Sequence, residues 1–321
     1  MFCSVIIPSV GRQSLSRAVH SVLAQKSLPG QVEVIIVNDS GDVHAVAEWA
    51  ERDDVRIMHT NRRERCLARN TGAAVAKGRY LWFLDDDDWI LPGAINEFQT
   101  LASRSPGAYW LYGGIHIVNE DGIVLAERNS GLNGRCSAQM IGGAWAPIQS
   151  SMIRTDAFFE AGGFNPQIIG TEDLDLCRRI ALIGEFANTE AAVACLLRGN
   201  LWSTSTNYSR APSDTRRSRD ALLDEPGVYS LLRESADNPY WLGRIVRVYL
   251  STINWNLKQG RFFKVLSRSL YTIVGILDAG GAIFTKTFWA GVRAEHVPGT
   301  LHFVMKNLEN EVMTQSHNKS S

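Results

Sequence analysis

Net charge is missing from this sequence: Lys and Arg together number 33, and so do Asp and Glu. A chain that gripped nucleic acid along its length would be strongly basic, so no nucleic-acid partner is expected. Cysteine is sparse, and the five present (Cys3, Cys66, Cys136, Cys177 and Cys195) form no CxxC pair and no disulfide-like framework. That sets aside a stapled secreted scaffold and fits a reducing, cytoplasmic compartment. Long apolar runs are lacking as well. The nearest, LYTIVGILDAGGAIF at 270–284, is broken by Asp278 and a glycine pair, short of the ~18 uninterrupted residues of a membrane span. The opening MFCSVIIPSVGR has neither a basic segment nor a long apolar core, and reads as a first strand rather than a signal peptide. There is no internal repeat.

What is present is an alternation. CSVIIP (3–8), VEVIIV (32–37), VRIMH (55–59) and RYLWFL (79–84) are short apolar runs. Between them lie helical patterns at 14–25, 43–52 and 66–78, the last with Leu67, Ala74 and Val75 inward and Gly78 as its stop. Another helix follows at 92–104, with Pro92 in its first turn. Strands separated by helices of this length predict a mainly parallel sheet, whose ligand crevice lies outside the carboxyl ends of the strands. Three such ends are polar: Pro8 to Arg12, Asn38 to Asp42, and Asp85 to Asp88. One crevice could collect all three.

After about residue 107 the texture changes. AYWLYGGIHIVNEDGIVLAER predicts an antiparallel hairpin turning at Glu120-Asp121-Gly122. A Gly- and Ser-rich loop is expected at 129–143, a helix opening on acids in GTEDLDLCRRIALIG, a strand at 191–199 and a polar, basic loop at 203–219. Beyond about 220 the pattern is helical.

The chemistry concentrates in LDDDDWILP (84–92). Four adjacent carboxylates repel one another unless a cation or a hydrogen-bond network compensates. A D-x-D at a strand end can offer oxygens to a hard divalent cation that takes its other ligands from phosphates and water. Asp85, Asp87 and Asp88 are the candidates, with Asp86 pointing elsewhere; the bland reading is a solvated acidic loop capping the next helix. Asp39 could accept hydrogen bonds from a base or ribose, though Asn-Asp-Ser-Gly is also ordinary turn chemistry. Arg69 could face a base or pyrophosphate, but a lone helix arginine is more often solvated. Arg62, Arg63 and Arg65 read equally well as a phosphate-attracting cluster or a solvated loop. Glu172 and Asp173, with Asp175, could supply a general base, or could be first-turn acids behind a Thr171 N-cap.

Five segments in this order resemble an inverting family 2 glycosyltransferase of the GT-A fold: SVIIPSVGR (4–12), VEVIIVNDSGD (32–42), LARNTGAAVAKGRYLWFLDDDDWILP (67–92), SSMIRTDAFFEAGGF (150–164) and TEDLDLCRR (171–179). The resemblance covers roughly residues 3 to 205. It implies a Rossmann-like, mainly parallel α/β sheet with flanking helices, divided into a nucleotide-sugar-binding half (1–106), an acceptor and catalytic-base half (107–215) and a C-terminal helical region (216–321). It implies that Pro8 and Ser9 line the nucleotide pocket, that Asp39 contacts the base, and that Arg69 holds base or phosphates. Asp85 and Asp86 would then face the nucleotide-sugar, Asp87 with Asp85 would hold Mn²⁺ or Mg²⁺, and Asp173 beside Glu172 would be the catalytic base, with Arg178 or Arg179 supporting its helix. The chain departs from the family pattern at Asn38 and at Val10-Gly11. The implied reaction moves a sugar from a nucleotide-diphosphate sugar, UDP-linked by preference, to a saccharide or lipid-linked saccharide acceptor in surface polysaccharide or glycolipid assembly.

A nucleotidyltransferase would share the metal-bound acids but has no use for the Glu172-Asp173 helix. A non-catalytic nucleotide-sugar-binding scaffold would not need both Asp87 and Asp173. Residues 240–277 mix aromatics, Lys/Arg and aliphatics at helical spacing. They read either as a basic surface in peripheral contact with the inner face of a membrane through 240–290, or, as favoured here, as a helical subdomain packed on the catalytic domain or on a second copy of a homo-oligomer.

Overall fold

The computed structural model describes residues 1–25, 30–41, 47–61, 64–197, 211–294 and 297. They fall into two compact units, one of residues 1–135 with 146–218, the other of 136–145 with 219–321.

In the first unit, strands β1 (Cys3–Ser9), β2 (Val32–Asn38), β3 (Val55–His59) and β4 (Tyr80–Phe83) are the four apolar runs read from the sequence. They pair in parallel in the order β3-β2-β1-β4. The sheet continues through β8 (Ser151–Arg154), β6 (Ala108–Val118), β9 (Glu185–Leu197) and β5 (Trp89–Ile90), with β7 (Val124–Arg128) on β6 as the expected hairpin. β8 runs antiparallel to β4 and β6, while β9 is parallel to β6, so the sheet is mixed but mostly parallel. Val5, Ile7, Val34, Ile36 and Trp82 form one core against helices α1 (Leu15–Leu23) and α3 (Ala94–Arg104), with Trp82 meeting Phe98 edge-on at 5.0 Å. Burying such a continuous apolar run on both faces is what a parallel sheet requires.

Several helix boundaries differ from the sequence reading. Helix α2 is Arg65–Val75 and stops three residues before Gly78. Gly78 is required for another reason: a Cβ there would collide with the backbone of Cys3 and Ser4 on β1. Helix α3 begins at Ala94 behind Gly93, whose φ of 86° suits glycine, rather than at Pro92. Only Glu48–Glu51 of the expected 43–52 helix is described as helical, as a short 3₁₀ turn, and residues 42–46 lie outside the described residues. The expected loop at 129–143 contains helix α4 (Ser137–Gly142), because Ala138, Met140 and Ile141 are buried there. Helices α5 (Thr155–Glu160) and α6 (Glu172–Ile183) precede β9. The expected loop at 203–219 is in part helix α7 (Ala211–Leu222): Asp214 accepts from the Ile169 amide at 3.0 Å, and Ser218 donates to Asp175. Residues 198–210 lie outside the described residues.

The second unit is helical. It holds α4, α8 (Val228–Ser235), α9 (Pro239–Lys258), α10 (Phe262–Asp278) and α11 (Lys286–Arg293). Asn238 starts α9 by accepting the Tyr240 amide at 3.0 Å, with Pro239 in the first turn where its missing N–H costs nothing. Gly243 on α9 and Gly291 on α11 let those helices touch backbone to backbone. Among the described residues no helix is long and apolar enough to cross a membrane.

Candidate active site

The four aspartates do not repel one another freely, because each carboxylate has a donor, with Arg12 shared between Asp86 and Asp87. Asp85 follows β4 directly. It accepts from Arg69 Nη2 at 2.6 Å on one oxygen and from Gln149 Nε2 at 3.1 Å on the other. Asp86, which the resemblance would place on the nucleotide-sugar, turns inward and is buried. It accepts from the Ser9 hydroxyl at 2.8 Å and from Arg12 Nη1 at 3.0 Å. Asp87 is partly exposed and pairs with Arg12 at 2.7 Å, while Asp88 is buried and accepts the Leu197 amide at 2.9 Å. The run is therefore a tight turn, closed by the Asp88 amide on the Asp85 carbonyl at 3.1 Å, with the Asp86 carboxylate turned to Ser9.

Asp85, Asp87 and Asp88 nevertheless come together: one oxygen from each lies within 4.8 Å of the others. A carboxylate oxygen that accepts one hydrogen bond keeps a second lone pair, so these oxygens suit a hard divalent cation such as Mn²⁺ or Mg²⁺. Burial raises the Asp87 carboxyl above its ordinary range, and the neighbouring Asp85 charge raises it further. Asp85 goes the other way. Burial works against its ionisation, but Arg69 and Arg65 outweigh that and hold it at about 2. Asp86 is raised by burial, in spite of Ser9 and Arg12.

Arg69 is not a solvated helix charge. It is buried, because α2 packs through Cys66, Ala68, Arg69, Gly72 and Ala73 and leaves Leu67 40% exposed. Helix α2 is thus rotated from the face expected in the sequence, with Gly72 seated against Ile6 on β1. The guanidinium bridges two acids far apart in sequence, Asp85 at 2.6 Å and Glu172 at 3.0 Å. Arg65, one turn earlier, reaches Glu172 at 3.4 Å. Burial alone would lower the pKa of Arg69, yet Asp85 and Glu172 carry it above the ordinary value.

The loop ahead of the acidic helix is also held to α2. Asn70 donates to the Phe164 carbonyl at 2.8 Å and accepts the Phe164 amide at 2.9 Å. That clamps the AGGF loop, in which Gly163 has φ 66° and no room for a side chain beside Asn70. Thr171 occupies the N-cap of α6, but its buried hydroxyl makes no capping bond. Asp175 instead anchors the helix, paired with Arg179 at 2.7 Å and accepting from Ser218. Arg178 is buried with its Nε and Nη1 unpartnered. Asp173 is partly exposed, and its carboxylate accepts the Leu174 amide at 2.8 Å. Burial, and then the adjacent Glu172 charge, push its carboxyl up to about 6.

The structure thus joins Asp85, Arg69 and Glu172 directly, with Asp87, Asp88 and Asp173 beside them in sequence. Ser9 and Asp86 form a neighbouring pair. Pro8 is partly buried on β1, opposite Val37 of β2. Asp39 is buried after β2 and accepts from Thr60 and from the Glu64 amide, both at 3.1 Å, which fixes the entry to α2. Arg62 and Arg63 lie outside the described residues. Sequence reasoning assigned no role to Arg12 or Gln149; the only signal for Arg12 was its place at a polar strand end.

Residues 4–140 match the sequence profile of glycosyl transferase family 2. An uncharacterized glycosyltransferase of Haemophilus influenzae is 26% identical over 55% of this chain and 61% of its own length. A Campylobacter jejuni GalNAc(5)-diNAcBac-PP-undecaprenol beta-1,3-glucosyltransferase is 31% identical over 39% of this chain and 41% of its own. The chain therefore spans less than two thirds of either relative. Among solved structures, residues 1–349 of S. aureus TarS in complex with UDP-GlcNAc superpose with a TM-score of 0.60 at 14% identity, over 76% of this chain and 72% of that one.

Proposed function

We propose, for a chain that belongs to glycosyl transferase family 2 and has the GT-A fold, that it transfers a sugar from a UDP-sugar to an acceptor hydroxyl with inversion at the anomeric carbon. The observation that carries the reading is Arg69, which ties Asp85 of the aspartate run to Glu172 of the acidic helix and so makes one centre of both. Asp85, Asp87 and Asp88 are the residues that would hold Mn²⁺ or Mg²⁺. When bound, the cation neutralises charge on the departing diphosphate.

The chain's own groups do the rest. Asp173, with a pKa near 6, is largely ionised at neutral pH yet basic enough to take the proton of the acceptor hydroxyl. The hydroxyl oxygen attacks the anomeric carbon as its bond to the diphosphate breaks on the opposite face, and a single displacement inverts the centre. Glu172, gripped by Arg69 and Arg65, stands beside the base and raises its pKa. Arg12 and Ser9 keep Asp86 out of the cation's way. Pro8, Ser9 and Asp39, at neighbouring strand ends, lie on the nucleotide side of this reading.

A UDP donor is supported by the fold shared with a UDP-GlcNAc-binding protein. A lipid-linked saccharide acceptor, in surface polysaccharide or glycolipid assembly, is supported by the relative named for an undecaprenol-linked substrate. Five cysteines, all buried and free, support a cytoplasmic setting. The test is a screen of UDP-, GDP- and dTDP-sugars for nucleoside diphosphate release, with Mn²⁺ and with chelator. Metal-dependent release from a UDP-sugar, lost in Asp87→Ala, is the expected result; release that ignores both the chelator and the substitution overturns the reading.

A further inference from the structure

Helix α10 is inside out for a helix in water. Its buried residues are Arg268, Thr272 and Gly275, whereas Phe263, Leu266, Leu270, Ile273 and Leu277 are 92%, 70%, 58%, 56% and 71% exposed. Those five recur at alternating steps of three and four, which places them on one stripe along a helix roughly 25 Å long. Buried partners fix this orientation. Arg268 is held inward by Asp220 at 3.0 Å and Asp224 at 2.6 Å, and Tyr271 stacks on Tyr249 of α9 at 5.4 Å. Rolling the stripe inward would strip Arg268 of both carboxylates.

The charge left unpaired at the two ends of the stripe is basic. Residues 239–293 contain eight Lys and Arg and one acid, Asp278; of the eight, Lys264 and Arg268 are neutralised by Asp220 and Asp224. Lys258 and Arg261 precede the helix, while Lys286 and Arg293 follow it. All four are exposed, and none makes an ion pair among the described residues. Lys286 and Arg293, with Phe284 and Trp289, line an open concavity of about 420 Å³ that combines two cations with two aromatic rings.

We propose that α10 lies in the surface of a bilayer rich in anionic lipid, its apolar stripe at the acyl boundary and its flanking cations on the headgroups. Charge selects this occupant. A second copy would bring the same cations against themselves, whereas anionic headgroups complement them and aromatic rings settle at the same depth. A helix without the length to span can still bind in this way, since binding strength follows buried apolar area and headgroup attraction.

The experiment is flotation of the full chain with vesicles of equal phosphatidylethanolamine and phosphatidylglycerol, against phosphatidylcholine alone. The chain should float with the anionic vesicles and far less with the neutral ones. The triple variant Phe263→Ser, Leu266→Gln, Leu270→Gln, and separately Lys286→Glu with Arg293→Glu, should each lower the partition coefficient about tenfold or more. All the substituted side chains are exposed, so an unchanged thermal melt and unchanged donor turnover in these variants exclude misfolding. Wild-type protein that ignores anionic vesicles, or a triple variant that floats as well as wild type, overturns the proposal. So does a wild type that is dimeric by light scattering, turns monomeric in the triple variant and never floats, which assigns the stripe to a second copy.

Discussion

Replacing Asp173 by Asn should move activity and stability in opposite directions. The carboxyl sits at about 6 against an ordinary 3.8, for reasons of burial and of the Glu172 charge beside it. Each pH unit of such a displacement corresponds to about 1.4 kcal/mol, which bounds the folded-state cost of the charged form at about 3 kcal/mol. Partial exposure of Asp173 reduces this to on the order of 1 kcal/mol. The sign follows from the raised value: the cost is absent below the unfolded pKa, grows as pH rises from about 4 to 6, and is complete above 6. Asp173→Asn should therefore be more stable than wild type in urea at pH 7.5, by about 1 kcal/mol, and equal to it near pH 3.5. Its turnover of the nucleotide-sugar should fall about 10²–10⁴-fold, the span expected for a lost general base. The wild-type rate should lose about a factor of ten per pH unit below pH 6. A variant that keeps more than a tenth of the activity, or loses activity only because it loses stability, would refute the assignment.

Arg69→Met should destabilise the fold by about 3–5 kcal/mol in urea titrations, because it leaves the buried Glu172 and the partly buried Asp85 without their shared cation; a cost under 1 kcal/mol would mean that the bridge is dispensable. Gly78→Ala should cost about 1–3 kcal/mol, since its Cβ meets the β1 backbone and not a side chain that could swing away. A midpoint unchanged by that substitution would show that β1 and the turn before β4 can part freely.

The parallel half of the sheet was legible because β1, β2 and β4 are predominantly apolar runs, broken only near the start of β1 by Ser4 and of β2 by Glu33, which bond to each other, a pattern that burial on both faces demands. The hairpin of β6 and β7 was legible from its turn residues. Helix α2 was misread for a physical reason. It puts an arginine and small residues inward and leaves Leu67 out, so counting apolar side chains selects the wrong face. The partners that keep Arg69 inside, Asp85 and Glu172, lie 16 and 103 residues away, and no local pattern reports them. Helices α4 and α7 were hidden in polar or glycine-rich segments, where tertiary contacts such as Asp214 with the Ile169 amide outweigh weak local preference. The aspartate run announced itself, but only the fold divides it into Asp86, turned to Ser9, and the Asp85, Asp87 and Asp88 set. The C-terminal helices carried their amphipathic pattern openly, although which side faces out depends on Asp220 and Asp224 holding Arg268.

The most direct measurement is a calorimetric titration of UDP into the protein with Mn²⁺ and with chelator. If Asp85, Asp87 and Asp88 hold a cation that receives the donor's diphosphate, UDP binds with Mn²⁺ present and at least about tenfold more weakly without it. Equal affinity in chelator, or no binding in either condition, would contradict the account.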